Sequence, residues 1–387
     1  MSARTTSPGP GDRREPCSNG ARRRPDPLIA SAPPTQRWLL LEVPAAWSEK
    51  VLNSRDIRGA RETLAGIVER RHGRVLFVRR PGRRPTGANA PEGPAGTVGV
   101  DLASGSRMST GANVREGTAG TGALDGPSGA IAPDGPAGAG HATEAGERTW
   151  VVVDAATGTE SAGHWTSADG SRAADLKDAI AAFDSDGPLA LPATTRLLVC
   201  THGTHDQCCA VRGRPVAAAL ATEWPELVWE CSHLGGDRFS GNLIVLPTGT
   251  YLGHLDAASA NAVAHEELAG RTPPEHLRGV ATQSPVVQAA VTEVLRVFGP
   301  YAAHLLRGRV VPPAASAPST DNLASDEVEV LVTGHPRAER VRVRVTRVVL
   351  PPARRACLAD IEKVAITHTA MLADGTDNSL PTDPLER

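Results

Sequence analysis

Three of the six cysteines fall within ten residues, in CTHGTHDQCC from Cys200 to Cys209, together with His202 and His205. About twenty residues later comes CSHLGGDRF, which adds Cys231, His233 and Asp237. Sulfur and imidazole nitrogen are the donors that soft and borderline transition metals prefer. Three readings follow from the residues alone. The cluster binds a metal or an iron–sulfur group, or it holds a redox-active thiol, or its cysteines simply pack as small hydrophobes. A C-x8-C pair is not a common zinc spacing, since structural zinc sites favour C-x2–4-C. No pair of carboxylates stands out for glycoside hydrolysis. A Cys–His hydrolase is open, but nothing marks which histidine would be the base.

The surrounding pattern says how these donors are held. Cys200 ends the apolar strand TRLLVC, and Cys209 stands just before a helix, GRPVAAALATEWPEL, with Pro215 in its first turn. The loop between them therefore lies at a strand's carboxyl edge and faces a helix N-terminus. The positive partial charge there favours thiolate over thiol. HLGGDRF follows the strand LVWECSH, and two successive glycines let the chain turn tightly enough for His233 and Asp237 to face one centre. Both motifs, C-x8-C and H-x3-D, are thus mounted on strand ends. Cys208 sits beside Cys209, and neighbouring side chains diverge. Cys231 is two residues from His233, on the same face if the strand persists.

The chain has 387 residues and a formal net charge of −2, with Lys50, Lys177 and Lys363 its only lysines. No basic stripe suggests a nucleic-acid partner. The one basic run, RRPGRRP from Arg79, reads as a solvated turn. No run of 18 apolar residues predicts a membrane span, and the first residues lack the apolar segment of a secretory signal. A cytoplasmic protein is expected. In that compartment clustered cysteines are more often ligands or redox groups than disulfides.

Residues 1–35 read as a disordered tail, with Cys17 alone in it. Residues 36–83 give a strand (WLLLEV), a helix over SEKVLNSRDIRGARETLAGIVERR, and a strand (GRVLFVRRPGR). Residues 84–148 form a Gly/Ala/Pro-rich low-complexity insertion that cannot bury enough surface to offset its ordering entropy. Residues 149–310 alternate strands and helices. They include RTWVVVDAATGTESAGHW, the helix DLKDAIAAF, the hairpin NLIVLPTGTYLGHLD, and the helices DAASANAVAHEEL and PVVQAAVTEVLRVF. A linker, 311–326, leads to a small β extension and tail over 327–387, where EVEVLVTG and RVRVRVTRVVLPP alternate with period two as an antiparallel pair. The fold class is α/β (α+β). Residues 37–83 with 150–185 form a strand–helix set of their own, so two related halves are conceivable. The first half has no cysteine between Cys17 and Cys200 and cannot hold a second thiolate-bound cluster.

LLVCTHGTHDQCCAVRGRPVAAAL, WECSHLGGDRFSGNLIVLPTGTYLGHLD and HLRGVATQSPVVQAAV resemble the sucrase/ferredoxin-like family, as do the opening segments RWLLLEVPAAW and RVLFVRRPGR. The likeness covers about residues 36 to 83 and 148 to 310. The resemblance implies a thioredoxin-like ferredoxin domain carrying a [2Fe–2S] cluster and acting with an unidentified redox partner protein. In better-understood relatives the ligands are two cysteines from C-x8-C and two histidines from H-x-G-G-H. Carried over, these are Cys200, Cys209 and His233. Asp237 stands where the second histidine would be and could bind through oxygen, or Cys208 or Cys231 could complete the set. His202 and His205, on the first of the two loops, either tune such a cluster from beside it or are exposed loop histidines. Two thiolates, one imidazole and one carboxylate would leave the oxidised cluster at charge −1, between the −2 of four thiolates and the 0 of two thiolates and two imidazoles. The expected potential lies between those two types. A cluster-free thiol- or metal-dependent enzyme and a zinc-stabilised interaction module are the alternatives.

Overall fold

The computed structural model of the chain describes residues 15–82, 147–168, 173–312, 326–359 and 361–373, all in one unit. Residue 83, residues 84–146 of the expected insertion and 313–325 of the expected linker lie outside the described residues.

Residues 15–35 correct the expectation of a disordered tail. They contain α1 (Cys17–Arg23), whose Cys17, Ser18, Gly20 and Ala21 are buried. The polar composition hides this because order is imposed from outside. Arg22 donates to the Ser240 carbonyl at 3.2 Å, and Asp26 is ion-paired to Arg355 near the other end of the chain.

WLLLEV forms β1 (Arg37–Glu42), a strand buried on both faces. The long helix expected next is broken. Single 3₁₀ turns occupy Val51–Asn53 and Arg55–Ile57, and only Arg61–Arg70 forms α2. Ser54 explains the break, since its hydroxyl caps the second turn by accepting from the Asp56 N–H at 3.2 Å. β2 (Gly73–Arg79), β3 (Glu147–Asp154), β4 (Thr159–Thr166), α3 (Lys177–Phe183) and the short β5 (Leu191–Pro192) complete this half. The second half runs β6 (Arg196–Cys200), α4 (Gln207–Glu223), β7 (Val228–Cys231), β8 (Leu243–Leu246), β9 (Thr250–Leu252), α5 (Ala260–Leu268), β10 (Leu277–Val280) and α6 (Pro285–Phe298). α4 starts earlier than expected, so Pro215 lies inside it.

These strands make one ten-stranded mixed sheet, ordered β10-β9-β8-β6-β7-β2-β1-β3-β4-β5. The order repeats a unit. β1 and β2 are parallel with α2 crossing over, and β3 then β4 add antiparallel on the other side of β1. In the same way β6 and β7 are parallel across α4, and β8 then β9 follow beyond β6. The halves meet where β2 pairs antiparallel with β7. The mixed α/β class read from the sequence holds, and so does its hint of two related halves.

The expected antiparallel pair near the C-terminus is a four-stranded sheet of β11 (Arg307–Val311), β12 (Glu327–His335), β13 (Ala338–Ala353) and β14 (Lys363–Leu372). In RVRVRV of β13, Val341, Val343 and Val345 are buried against α6 while arginines alternate outward. α6 is apolar nearly all round because it packs on β10 as well as on this sheet. Among the described residues no helix is long and apolar enough to cross a membrane.

One half-buried histidine in the turn after β9 should make the fold acid-sensitive. His254 packs edge-on against Phe239, and its Nε2 has no hydrogen-bond partner. Burial, with Arg22, His276, Arg278 and Arg212 nearby, pushes its pKa down to about 4. The unfolded chain binds this proton near pH 6.5, so the stability His254 confers is present above pH 6.5 and is lost as pH falls toward 4. About 2 kcal/mol should go in that window. Asparagine tolerates the left-handed backbone found here, φ 59°. In urea titrations at pH 7 and pH 4.5, His254→Asn should lose less stability than the parent on acidification. Equal losses would refute the assignment.

Candidate metal centre

Parallel pairing of β6 with β7 sets Cys200 opposite Cys231, so the loops after both strands leave the same edge of the sheet side by side. The first loop is closed by Asp206, the N-cap of α4, whose Oδ1 accepts from the Cys208 N–H at 2.8 Å. α4 then packs on the end of β6 so closely that a Cβ on Gly213 would lie 2.0 Å from the Cys200 carbonyl oxygen. Only glycine permits this approach, and it brings Cys209 beneath Cys200. The second loop turns through Gly235 and Gly236, both at positive φ (87° and 74°), into a 3₁₀ turn over Asp237–Phe239.

The result is a cluster. One ligand atom from each of Cys200, Cys209 and His233 lies within 4.8 Å of the other two, and so does one from each of His205, His233 and Asp237. His233 belongs to both groups. Cys200 and Cys209 are 1% and 0% exposed, whereas the His233 and His205 side chains are 21% and 28% exposed. The sulfurs therefore face the interior and the imidazoles face the surface.

Each histidine is oriented differently. His202 is buried with both nitrogens engaged: Nε2 donates to the Ser48 carbonyl at 2.9 Å, and Nδ1 accepts from the His233 backbone N–H at 3.1 Å. It positions the His233 loop and has no lone pair left for a metal. Burial lowers its pKa. His205 Nδ1 donates to the Glu49 carbonyl at 3.1 Å, which leaves Nε2 4.0 Å from Asp237 Oδ2. Its ring stacks on that of His233 with centroids 3.8 Å apart. His233 Nδ1 lies 2.9 Å from Asp237 Oδ1 but off the N–H axis, so this buried nitrogen has no aligned hydrogen bond. Cys209 Sγ lies 3.2 Å from the same Asp237 oxygen.

The electrostatics suit ligation. Burial alone would lower the His233 pKa, but Asp237 and Cys200 hold it up to about 9. Burial likewise favours a neutral Asp237, and His233 outweighs it and keeps the carboxyl below its usual value. The Cys209 thiol, the largest influence, holds Cys200 well below an ordinary thiol pKa, helped by His233. Cys209 is raised in turn by its hydrogen bond to Cys200 and by burial. These shifts favour a thiolate at Cys200 and a carboxylate at Asp237 beside a protonated His233, and a cation bound by His233 would displace that imidazole proton.

Two alternative ligands fall away from this centre. Cys208 turns from Cys209, as adjacent residues on a helix must, and meets Cys17 and Cys357 instead. Cys231 is fully buried and joins neither ligand group. Cys17 and Cys357 were missed as chemistry, because nothing in their local sequence signals the contact.

Arg278 braces the loop. It is 1% exposed, and its guanidinium donates to the Gly235 carbonyl at 2.8 Å, to Asn242 Oδ1 at 2.9 Å, and to Ser31 Oγ and its carbonyl at 3.1 and 2.7 Å. Asn242 Nδ2 in turn donates to the Gly236 carbonyl at 3.0 Å. Burial pushes the arginine down to about 10. Arg278→Ala strips four acceptors of their donor and opens a cavity, so a loss of about 3–5 kcal/mol is expected. A urea-melt difference below about 1 kcal/mol, the size of an ordinary surface change, would show that Arg278 braces nothing.

A family described as Suc_Fer-like, sucrase/ferredoxin-like, matches residues 28–279 of the chain. No curated protein and no solved structure matches it.

Proposed function

Because the chain belongs to the sucrase/ferredoxin-like family, we propose that it is an electron carrier holding a [2Fe–2S] cluster on Cys200, Cys209, His233 and Asp237. The observation that carries this reading is the convergence of two buried sulfurs on His233, whose Nδ1 has no aligned hydrogen bond. Sulfur, imidazole and carboxylate donors together fit an iron–sulfur centre of mixed ligation. A bound cluster would supply a one-electron redox centre.

The chain's own residues do the rest. Cys200 and Cys209 place their sulfurs where water is excluded, which favours a stable thiolate–metal bond. His233 and His205 form the side nearest solvent, where an electron exchanged between a bound cluster and a partner protein would pass. His202 fixes the His233 backbone, and Arg278 and Asn242 fix the glycines that follow. Asp237 brings a negative charge that two-histidine ligation lacks. Beside it a cleft is lined by Arg238, Arg355 and Lys363, with both arginines paired to Asp26.

A thiol-dependent enzyme is less well supported. Cys208 and Cys209 are 2% and 0% exposed, too buried for a nucleophile that must meet substrate. Iron and acid-labile sulfide analysis of anaerobically purified or reconstituted protein tests the proposal. Two of each per chain are expected, with visible absorption bleached by dithionite and a paramagnetic reduced state. A colourless protein that takes up zinc at Cys200, Cys209 and His233 but never iron would end it.

A further inference from the structure

A second cluster of donors lies behind the first. Cys208 Sγ is 3.7 Å from Cys17 Sγ and 3.2 Å from Cys357 Sγ, and the Cys17 and Cys357 sulfurs are 3.6 Å apart. Asp206 closes the set. Its carboxylate oxygens lie 3.8 and 3.9 Å from Cys17 Sγ, and a single oxygen of it is within 4.8 Å of all three sulfurs. Cys17, Cys208 and Asp206 are buried, and Cys357 is half-buried.

The dimensions are informative. Ligands at about 2.3 Å around a tetrahedral zinc ion stand about 3.8 Å from one another along each edge. The three sulfurs already form a triangle of nearly that size. A disulfide needs its sulfurs at about 2.05 Å, and could join only two of the three. Simple packing does not account for the polar groups trained on the sulfurs either. The Ser18 hydroxyl donates to Cys208 Sγ at 3.2 Å, and the Cys17 N–H donates to Cys357 Sγ at 3.4 Å. Hydrogen bonds of this kind hold thiolate ligands in place. Asp206 is itself fixed by the backbone N–H groups of Cys208 and Cys357.

We propose that Cys17, Cys208, Cys357 and Asp206 form a structural zinc site, separate from the cluster centre and joined to it through the Cys208–Cys209 peptide bond. Two of its four ligands lie outside the region matched by the family, residues 28–279. The site draws together α1, the N-terminus of α4 and the turn after β13. The Asp26–Arg355 ion pair and the Arg212–Ser18 hydrogen bond, at 2.8 Å, clamp the same three segments. Zinc would hold α1 and the turn after β13 over the first turn of α4, which carries Cys209. It would also keep Cys208 from competing for iron. Binding replaces thiol protons by the metal, so uptake releases protons to solvent.

The test adds zinc alone to the reduced full-length protein and measures metal per chain. One tightly held zinc is expected, lost in Cys17→Ser/Cys357→Ser, while the iron and visible spectrum of the cluster persist. Asp206→Asn keeps the cap on α4 and should weaken zinc binding by about tenfold or more. If the double variant does not fold, alkylation of the parent decides: Cys357, the half-buried member of the set, should be protected by zinc and become reactive when it is chelated. No stoichiometric zinc in the parent, zinc retained without Cys17 and Cys357, or alkylation indifferent to zinc would each overturn the site. Iron bound at Cys200 and Cys209 without zinc would leave the electron-carrier reading standing and defeat this one.

Discussion

Cys200→Ser and Cys209→Ser should each yield a protein with little iron and no visible chromophore, while Cys231→Ser stays coloured. All three cysteines are at most 1% exposed, so burial alone predicts similar effects for the three. Geometry separates them, because only Cys200 and Cys209 come within ligand distance of His233. Serine is a poor iron ligand, since its hydroxyl stays protonated at neutral pH where a thiol readily ionises. Removing a group that supports a ligand typically costs 10–100-fold in metal affinity, and a ligand itself should cost more. His202→Asn provides that intermediate case. It removes the acceptor for the His233 N–H without removing a donor to metal, so the cluster should form and be lost faster to a chelator. Iron content after reconstitution and its rate of loss would place the four variants. Equal iron in Cys200→Ser and Cys231→Ser would sink the assignment.

The parts of this site that sequence makes legible are those fixed locally. TRLLVC and LVWECSH are apolar strands. Two glycines mark the turn after His233. Their convergence follows from the parallel pairing of two strands, which an alternating strand–helix rhythm predicts. What is hidden depends on distant partners. Cys17 is 191 residues from Cys208, and Cys357 another 149, yet their sulfurs touch. The surrounding PCSNGARRR carries no apolar periodicity, because α1 is held by single polar anchors and thiol contacts and not by an apolar stripe. α4 was expected to begin near Pro215 because proline favours a first turn. In fact its missing N–H falls mid-helix, opposite a turn whose Val211 is 71% exposed, where water can serve the freed carbonyl. β14 also escapes sequence reading. Val364 and Ile366 are exposed, and its buried Thr367 and His368 are adjacent, so no alternation survives.

Asp237→His should raise the reduction potential by at least about 100 mV. Two thiolate-to-imidazole exchanges separate four-cysteine clusters, near −400 mV, from two-histidine clusters, at about −150 to +300 mV, so each unit of ligand charge is worth about 100 mV or more. Replacing a carboxylate by neutral imidazole removes one such unit. Asp237 is 7% exposed and sits against both Cys209 Sγ and His233 Nδ1, so little solvent screens the change. The second acceptor in reach is His205, whose Nε2 points at Asp237 Oδ2. If His205 is the fourth ligand, the ordering inverts. His205→Ala would then abolish the cluster, and Asp237→His would move the potential only through space. With Asp237 as ligand, His205→Ala keeps the cluster, since it removes only a partly exposed imidazole stacked on His233. Iron content and potentiometric titration of both variants separate the outcomes. A potential in Asp237→His equal to the parent's, with the cluster intact, would show that the carboxylate is a bystander.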